Sequence, residues 1–237
     1  PSPPGTAPAA TAPAATAATA PAPEAIATAR DYGDVSAEYG ALRLANGRGG
    51  AIVVDRSFRS RGTFAGAKAR DVLTGLITND VLALSPGDGC YAAALTPKGK
   101  ILADVRLFVR DDDVLLDVPP RAAAAWWGMV RKYVNPRLSR YADISATTAD
   151  VSVYGTRAHA VVAAALGLPW ESLVHMSPYA HRQVVALGHE LQLLRVPDLL
   201  IEGFTLIVPV AARDAVWEAL RAHGARPAGL DAFEIAR

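Results

Sequence analysis

The chain has 237 residues, about half of them apolar, with 24 basic and 23 acidic side chains and a formal net charge of +1. That length and apolar share support one large or two small folded domains, and the charge balance gives no electrostatic argument for a nucleic-acid partner. A single cysteine excludes an intramolecular disulfide, and the five scattered histidines show no metal-ligand spacing.

Residues 1–38 read as a tail. Of the first 30 residues, 25 are Ala, Pro or Thr, including seven of the 17 prolines. Proline every few residues removes backbone donors and blocks helix propagation, so a disordered, semi-extended segment is predicted. It has neither the basic start nor the leucine-rich centre of a secretory signal. No apolar run is long enough to span a bilayer, and a cytoplasmic setting without membrane partners is expected.

The first folded unit is expected over 39–140. "AIVVDRSFRSRGTFAG" (51–66) reads as two short strands around a polar turn. Residues 67–79 carry Val72, Leu73, Leu76 and Ile77 at helical spacing. "SPGDG" (85–89) is turn chemistry, "CYAAALTP" (90–97) a strand, and 101–110 and 114–118 paired strands around Asp111, Asp112 and Asp113. Pro119 and Pro120 suit the start of a helix that Asn135–Pro136 ends. Trp126 and Trp127 sit on it, at least one of them in the core.

A second unit is expected over 141–237. "DVSVYG" (150–155) is a strand, and Thr156 is placed to cap a helix running to Gly167. "VHMSPYAHR" (174–182) reads as a polar loop. "ELQLLRV" (190–196) and "FTLIVPV" (204–210) are strands, and 211–223 a helix stopped by Gly224. Such alternation, with hairpins between, predicts an α+β fold of layered, largely antiparallel sheets.

Along 100–110 the side chains alternate. Ile101, Ala103, Val105, Leu107 and Val109 form the better core face, which leaves Asp104 on a mixed face with Leu102 and Arg106. Pattern alone leaves two readings open. Asp104 is a proton acceptor or a ligand for a cationic nitrogen, or it is a surface carboxylate paired with Arg106. Cys90 reads as a small buried hydrophobe rather than a reactive thiol.

The stretch "GLITNDVLALSPGDGCYAAALTPKGKILADVRLFVRDDDVLLDV", followed by "VRKYV" and "IEGFTLIVPVAARDAVWEALRAHGARPAGLDAFEIAR", resembles the folate-binding module shared by the glycine-cleavage T-protein, an aminomethyltransferase, and the YgfZ-type iron–sulfur cluster assembly factors. The resemblance covers about residues 39–237. It aligns Gly99–Lys100–Ile101–Leu102–Ala103–Asp104 with the T-protein's G-G-I-x-D-D, which implies that Asp104 contacts folate near its reactive nitrogen. "VDRSFR" (54–59) takes the place of D-V-S-H-M, keeping Asp55 and Ser57. Glu202 falls one position from the family's acidic pterin contact, and Arg237 matches the second Arg of R-D-x-L-R.

The resemblance therefore implies Asp104 as the catalytic group and Tyr91, Lys98, Asp104, Arg106, Glu202 and Arg237 as contacts to tetrahydrofolate. Lys98, Lys100, Arg106 and Arg110 suit the carboxylates of a folate tail. The "KGK" turn (98–100) and the Lys132–Tyr133 pair favour the assembly-factor branch, with iron–sulfur assembly proteins or their client enzymes as partners. That branch's K-G-C-Y-x-G-Q-E run falls after Arg237, so the expectation is a chain lacking the family's C-terminal part. The alternatives are an aminomethyltransferase of glycine cleavage and a scaffold that keeps the fold without the ligand.

Overall fold

The computed structural model describes residues 28–42 and 50–237, so most of the expected tail, residues 1–27, lies outside the described residues. The fold is α+β, with two sheets packed face to face and helices packed against them.

In chain order, α1 (Val35–Leu42) leads into β1 (Ile52–Asp55), β2 (Ser60–Ala65), α2 (Ala69–Thr74), β3 (Gly89–Leu95), β4 (Ile101–Val109) and β5 (Asp113–Val118). Then come α3 (Pro120–Tyr133), β6 (Arg140–Asp143), β7 (Thr148–Tyr154), α4 (Ala158–Leu166) and α5 (Glu171–Val174). The chain continues through β8 (His181–Ala186), β9 (His189–Arg195), β10 (Gly203–Pro209), α6 (Arg213–Ala222), β11 (Arg226–Pro227) and α7 (Leu230–Ala236).

The six-stranded sheet runs β11-β1-β7-β10-β9-β8, antiparallel except for the short parallel pairing of β11 with β1. The five-stranded sheet runs β3-β4-β5-β2-β6. Both sheets draw strands from either side of residue 140. β1 pairs with β7, and β6, which spans that position, pairs with β2.

Alternation decides which residues enter which core. Val105, Leu107 and Val109 of β4 pack with Trp126 and Val130 of α3 on the outer face. Phe108 points the other way and meets Leu115, Leu194, Val196 and Ile207 where the sheets touch. Each such fully buried side chain contributes roughly 1.5–3 kcal/mol. Ile101, expected in the core, is 74% exposed because it lies at the outer end of β4.

Trp126 and Trp127 are both buried, and the Trp127 indole N–H donates to Ser60 Oγ at 2.9 Å. The α3 helix starts at the second of two prolines and carries Arg131 and Lys132 in its last turn, where cations favour the helix dipole.

Three local expectations are corrected. The helix over 67–79 is only α2, since Ile77 bridges to Ala94 and Thr78 donates to Ala93, drawing the chain onto β3. Thr156 does not cap α4, whose His159 N–H is met instead by the Glu202 carboxylate at 3.1 Å. The segment 174–182 is not wholly a polar loop, because His181 is buried and opens β8. Gly167 ends α4 at φ 66°, a left-handed position that suits glycine.

Candidate functional site

Where the ends of the two sheets meet, several segments converge on a cleft of about 390 Å3. β4 places Asp104 and Arg106 two residues apart and so on one face. β3 places Tyr91 opposite Arg106 in register. The β1–β2 turn supplies Arg56, Phe58 and Arg59, the start of α3 supplies Arg121, and the loop after β9 supplies Asp198. Tyr179 precedes β8, and Arg237 follows α7.

Asp104 is half-buried, its side chain 25% exposed. Tyr91 Oη donates to Oδ2 at 3.2 Å and Arg121 Nη2 donates to Oδ1 at 3.1 Å. Arg106 is not its partner. That guanidinium turns inward to Asp117, at 2.9 Å, and to Asp198. Burial and then the Asp104 charge push the Tyr91 phenol pKa up, so it stays a donor. The Tyr91 and Tyr179 rings lie 6.4 Å apart and 16° from parallel. Tyr179 holds φ at 63°, uncommon for a side chain of that size.

Behind Asp104 runs a buried ladder of charge. Arg59 donates twice to Asp117, at 2.7 and 2.9 Å, Arg106 bridges Asp117 and Asp198, and Arg56 closes the series on Asp198. Burial raises the Asp117 pKa, but the Arg59 and Arg106 guanidiniums win and hold it down at about 2. Burial likewise works against the Asp198 charge, and Arg56 and Arg106 overcome it, so its pKa is lowered. For Arg56, burial opposes the charge and is outweighed by Tyr154 and Asp198, which raise its pKa. Its Nε is buried without a partner, and its guanidinium carbon lies 4.7 Å from the Phe233 ring centre.

Of the expected site residues, the structure brings Tyr91, Asp104, Arg106 and Arg237 to this cleft. Lys98 lies on the exposed β3–β4 turn and does not line it. Glu202 is turned to α4, where it accepts from the His159 N–H, lies 2.6 Å from His159 Nδ1 and sits 3.9 Å from Arg195. It precedes the first residue of β10, and its displacement by one position leaves it away from the cleft. Sequence reasoning missed Arg56, Asp117, Arg121, Tyr179 and Asp198. The one local signal was "RSFRSR" (56–61), three arginines in a short link between two strands.

A family profile described as GCVT N-terminal domain matches residues 31–237. The chain belongs to that family. An aminomethyltransferase of Ralstonia pickettii is 31% identical over 221 residues, covering 87% of this chain and 57% of the relative. One from Thermosynechococcus vestitus is 26% identical over 206 residues, covering 87% and 54%. The chain thus spans about half the length of the curated relatives it matches. Among solved structures, the glycine cleavage system aminomethyltransferase T of Bartonella henselae superposes with a TM-score of 0.70 at 22% identity, over 84% of this chain and 52% of that one. The heterotetrameric sarcosine oxidase of a Corynebacterium species gives 0.55 at 12% identity, over 86% and 93%. Both likenesses bear on the fold alone.

These relatives correct the expectation of an iron–sulfur assembly module, since those matched are named aminomethyltransferases. The residues that favoured that reading do not line the cleft. Lys98 and Lys100 are on an exposed turn, and Lys132 lies over the exposed Tyr133 ring at the end of α3. Among the described residues, no helix is long and apolar enough to cross a membrane.

Proposed function

We propose that this chain forms the folate-holding part of an aminomethyltransferase, with tetrahydrofolate as the one-carbon acceptor in the Asp104 cleft. The observation that carries this reading is a half-buried carboxylate on a strand, fixed by one phenol and one guanidinium, at a recess where two sheets meet. The lining fits such a ligand. The Tyr91–Tyr179 pair and Phe58 offer flat apolar surface to a pteridine. The unpartnered Arg56 Nε is a buried donor beside the cleft. Arg121 and Arg237, both largely exposed, suit the carboxylates of a glutamate tail.

Bound tetrahydrofolate supplies the amine nitrogen that takes up the one-carbon unit. In this reading Asp104 accepts that nitrogen's hydrogen bond or its proton, while Tyr91 and Arg121 fix the carboxylate's direction. The Arg59–Asp117–Arg106–Asp198–Arg56 ladder keeps the wall of the cleft rigid.

The test is calorimetric titration of the chain with tetrahydrofolate. Saturable binding is expected, weakened at least about tenfold in Asp104→Asn, roughly 1.4 kcal/mol. Unchanged affinity removes Asp104 from the site. Failure of any folate to bind or to raise the melting temperature rejects the reading in favour of a scaffold that has kept the fold. Folate-dependent ammonia release from an aminomethylated lipoyl carrier protein then tests turnover.

A further inference from the structure

Three exposed lysines that the Asp104 cleft does not use come together around one groove. Lys98 and Lys100 flank Gly99 on the β3–β4 turn, and Lys132 lies in the last turn of α3. The groove, of about 430 Å3, runs between α2, that turn and the end of α3, and it shares no lining residue with the cleft. Val72 and Leu76 line one side. Met129 and Tyr133, one turn apart on α3, line the other. Leu95 and Pro97 of the hairpin complete the apolar lining.

The fold does not close over this apolar surface. Leu95 is 39% exposed and Tyr133 53%, and Ile101, the cross-strand partner of Leu95, is exposed as well. The hairpin turn beside it is held in one shape. Thr96 N–H donates to the Lys100 carbonyl oxygen at 2.8 Å, and Gly99 N–H donates to the Thr96 carbonyl oxygen at 2.9 Å. Lys100 N–H donates to Thr96 Oγ1 at 3.1 Å. Gly99 holds φ at 73°, a left-handed position that suits glycine. A partner therefore meets a turn whose backbone needs little further ordering.

The rim is basic. Lys98 follows Pro97 of the lining, Lys100 is hydrogen-bonded to Thr96 of the lining, and Lys132 Nζ stands 5.0 Å from the Tyr133 ring centre. None of these lysines forms an ion pair with a described residue. Asp71, the acid on the lining, is already answered by Lys68 at 3.5 Å. The groove thus joins an apolar floor to unmatched positive charge. A small anion uses only the charge, and a neutral apolar ligand uses only the floor. A net charge of +1 gives nucleic acid or an anionic bilayer little long-range attraction to the chain.

We propose that this groove docks an acidic amphipathic segment of a partner protein. The segment's apolar side chains lie along Val72, Leu76, Met129 and Tyr133, and its carboxylates meet Lys98, Lys100 and Lys132. The assignment stands apart from the folate reading and survives its failure.

The experiment is fluorescence anisotropy with the full chain near neutral pH at low salt, using a labelled helical peptide built of Glu and Leu. Saturable binding is expected. Replacing Glu by Gln, or Leu by Ser, throughout the peptide should weaken it at least about fivefold. The Lys98→Glu/Lys100→Glu pair, Lys132→Glu and Tyr133→Ser should each weaken the Glu–Leu peptide by a similar factor. All four side chains are exposed, so an unchanged melting temperature shows that the fold is kept. A labelled thymidine oligonucleotide and vesicles of phosphatidylserine with phosphatidylcholine should bind more weakly than the peptide at the same salt. No saturable change up to about 1 mM chain, equal binding of the Gln–Leu peptide, or full affinity in either the lysine variants or Tyr133→Ser overturns the proposal. Oligonucleotide or vesicle binding as tight as the peptide's also overturns it, in favour of a general polyanion surface.

Discussion

Asp117→Asn isolates the charge ladder behind the cleft. Asp117 lies on β5 opposite Arg106 and Arg61 in the adjacent strands, and it accepts from Arg59 and Arg106. Its carboxyl is held at about 2 in the fold against an ordinary value of 3.8. At about 1.4 kcal/mol per pH unit, that difference corresponds to roughly 2–3 kcal/mol of folding stability. The sign follows from proton binding. The unfolded chain takes up this proton more readily, so the stabilisation is complete above about pH 5 and is lost as pH falls through 4 towards 2. Asparagine imitates the neutral carboxyl and leaves Arg59 buried without a counter-charge, a loss of roughly 3–5 kcal/mol for a broken buried pair. The expected destabilisation near neutral pH is therefore about 2–5 kcal/mol. Urea unfolding followed by tryptophan fluorescence at about pH 7, 5 and 3 measures it. The variant should also lose this part of the acid sensitivity. A variant within about 0.5 kcal/mol of the parent near neutral pH, with the same acid slope, would refute the reasoning.

Three further outcomes follow from particular contacts. A Cβ at Gly62 would meet the Trp127 ring, with Cζ2 at 2.7 Å, and the Ala142 oxygen at 2.9 Å, so Gly62→Ala should destabilise by about 1–3 kcal/mol in the same urea assay. Leu200 is 96% exposed at φ 57°, so Leu200→Gly should lose no packing and gain roughly 0.5 kcal/mol, seen as a small rise in melting temperature. If the Tyr91–Tyr179 pair forms a face for the pteridine, Tyr179→Ala should weaken tetrahydrofolate binding about two- to tenfold by calorimetry, with Asp104 left in place.

The local pattern was enough for most of the frame. Alternation over 101–109, the prolines before α3 and the turn residues at 85–89 each act within a few residues, and the strands and helix they imply are present. Short pieces were missed where sequence carries little periodicity, as in β6, β8 and β11. The amino-acid sequence by itself placed Asp104 on a mixed strand face with Arg106, and the family resemblance implied Tyr91 and Arg237. It left open whether Arg106 answers Asp104, because residues two apart on a strand share a face whatever surrounds them. Only the tertiary structure decided that question. Packing the sheets together brings Asp117 and Asp198 within reach of Arg106 and gives Asp104 to Tyr91 and Arg121. It also turned Glu202 away to α4. A carboxylate's partner depends on distances across elements that lie far apart in sequence, and such distances are fixed only when the sheets pack.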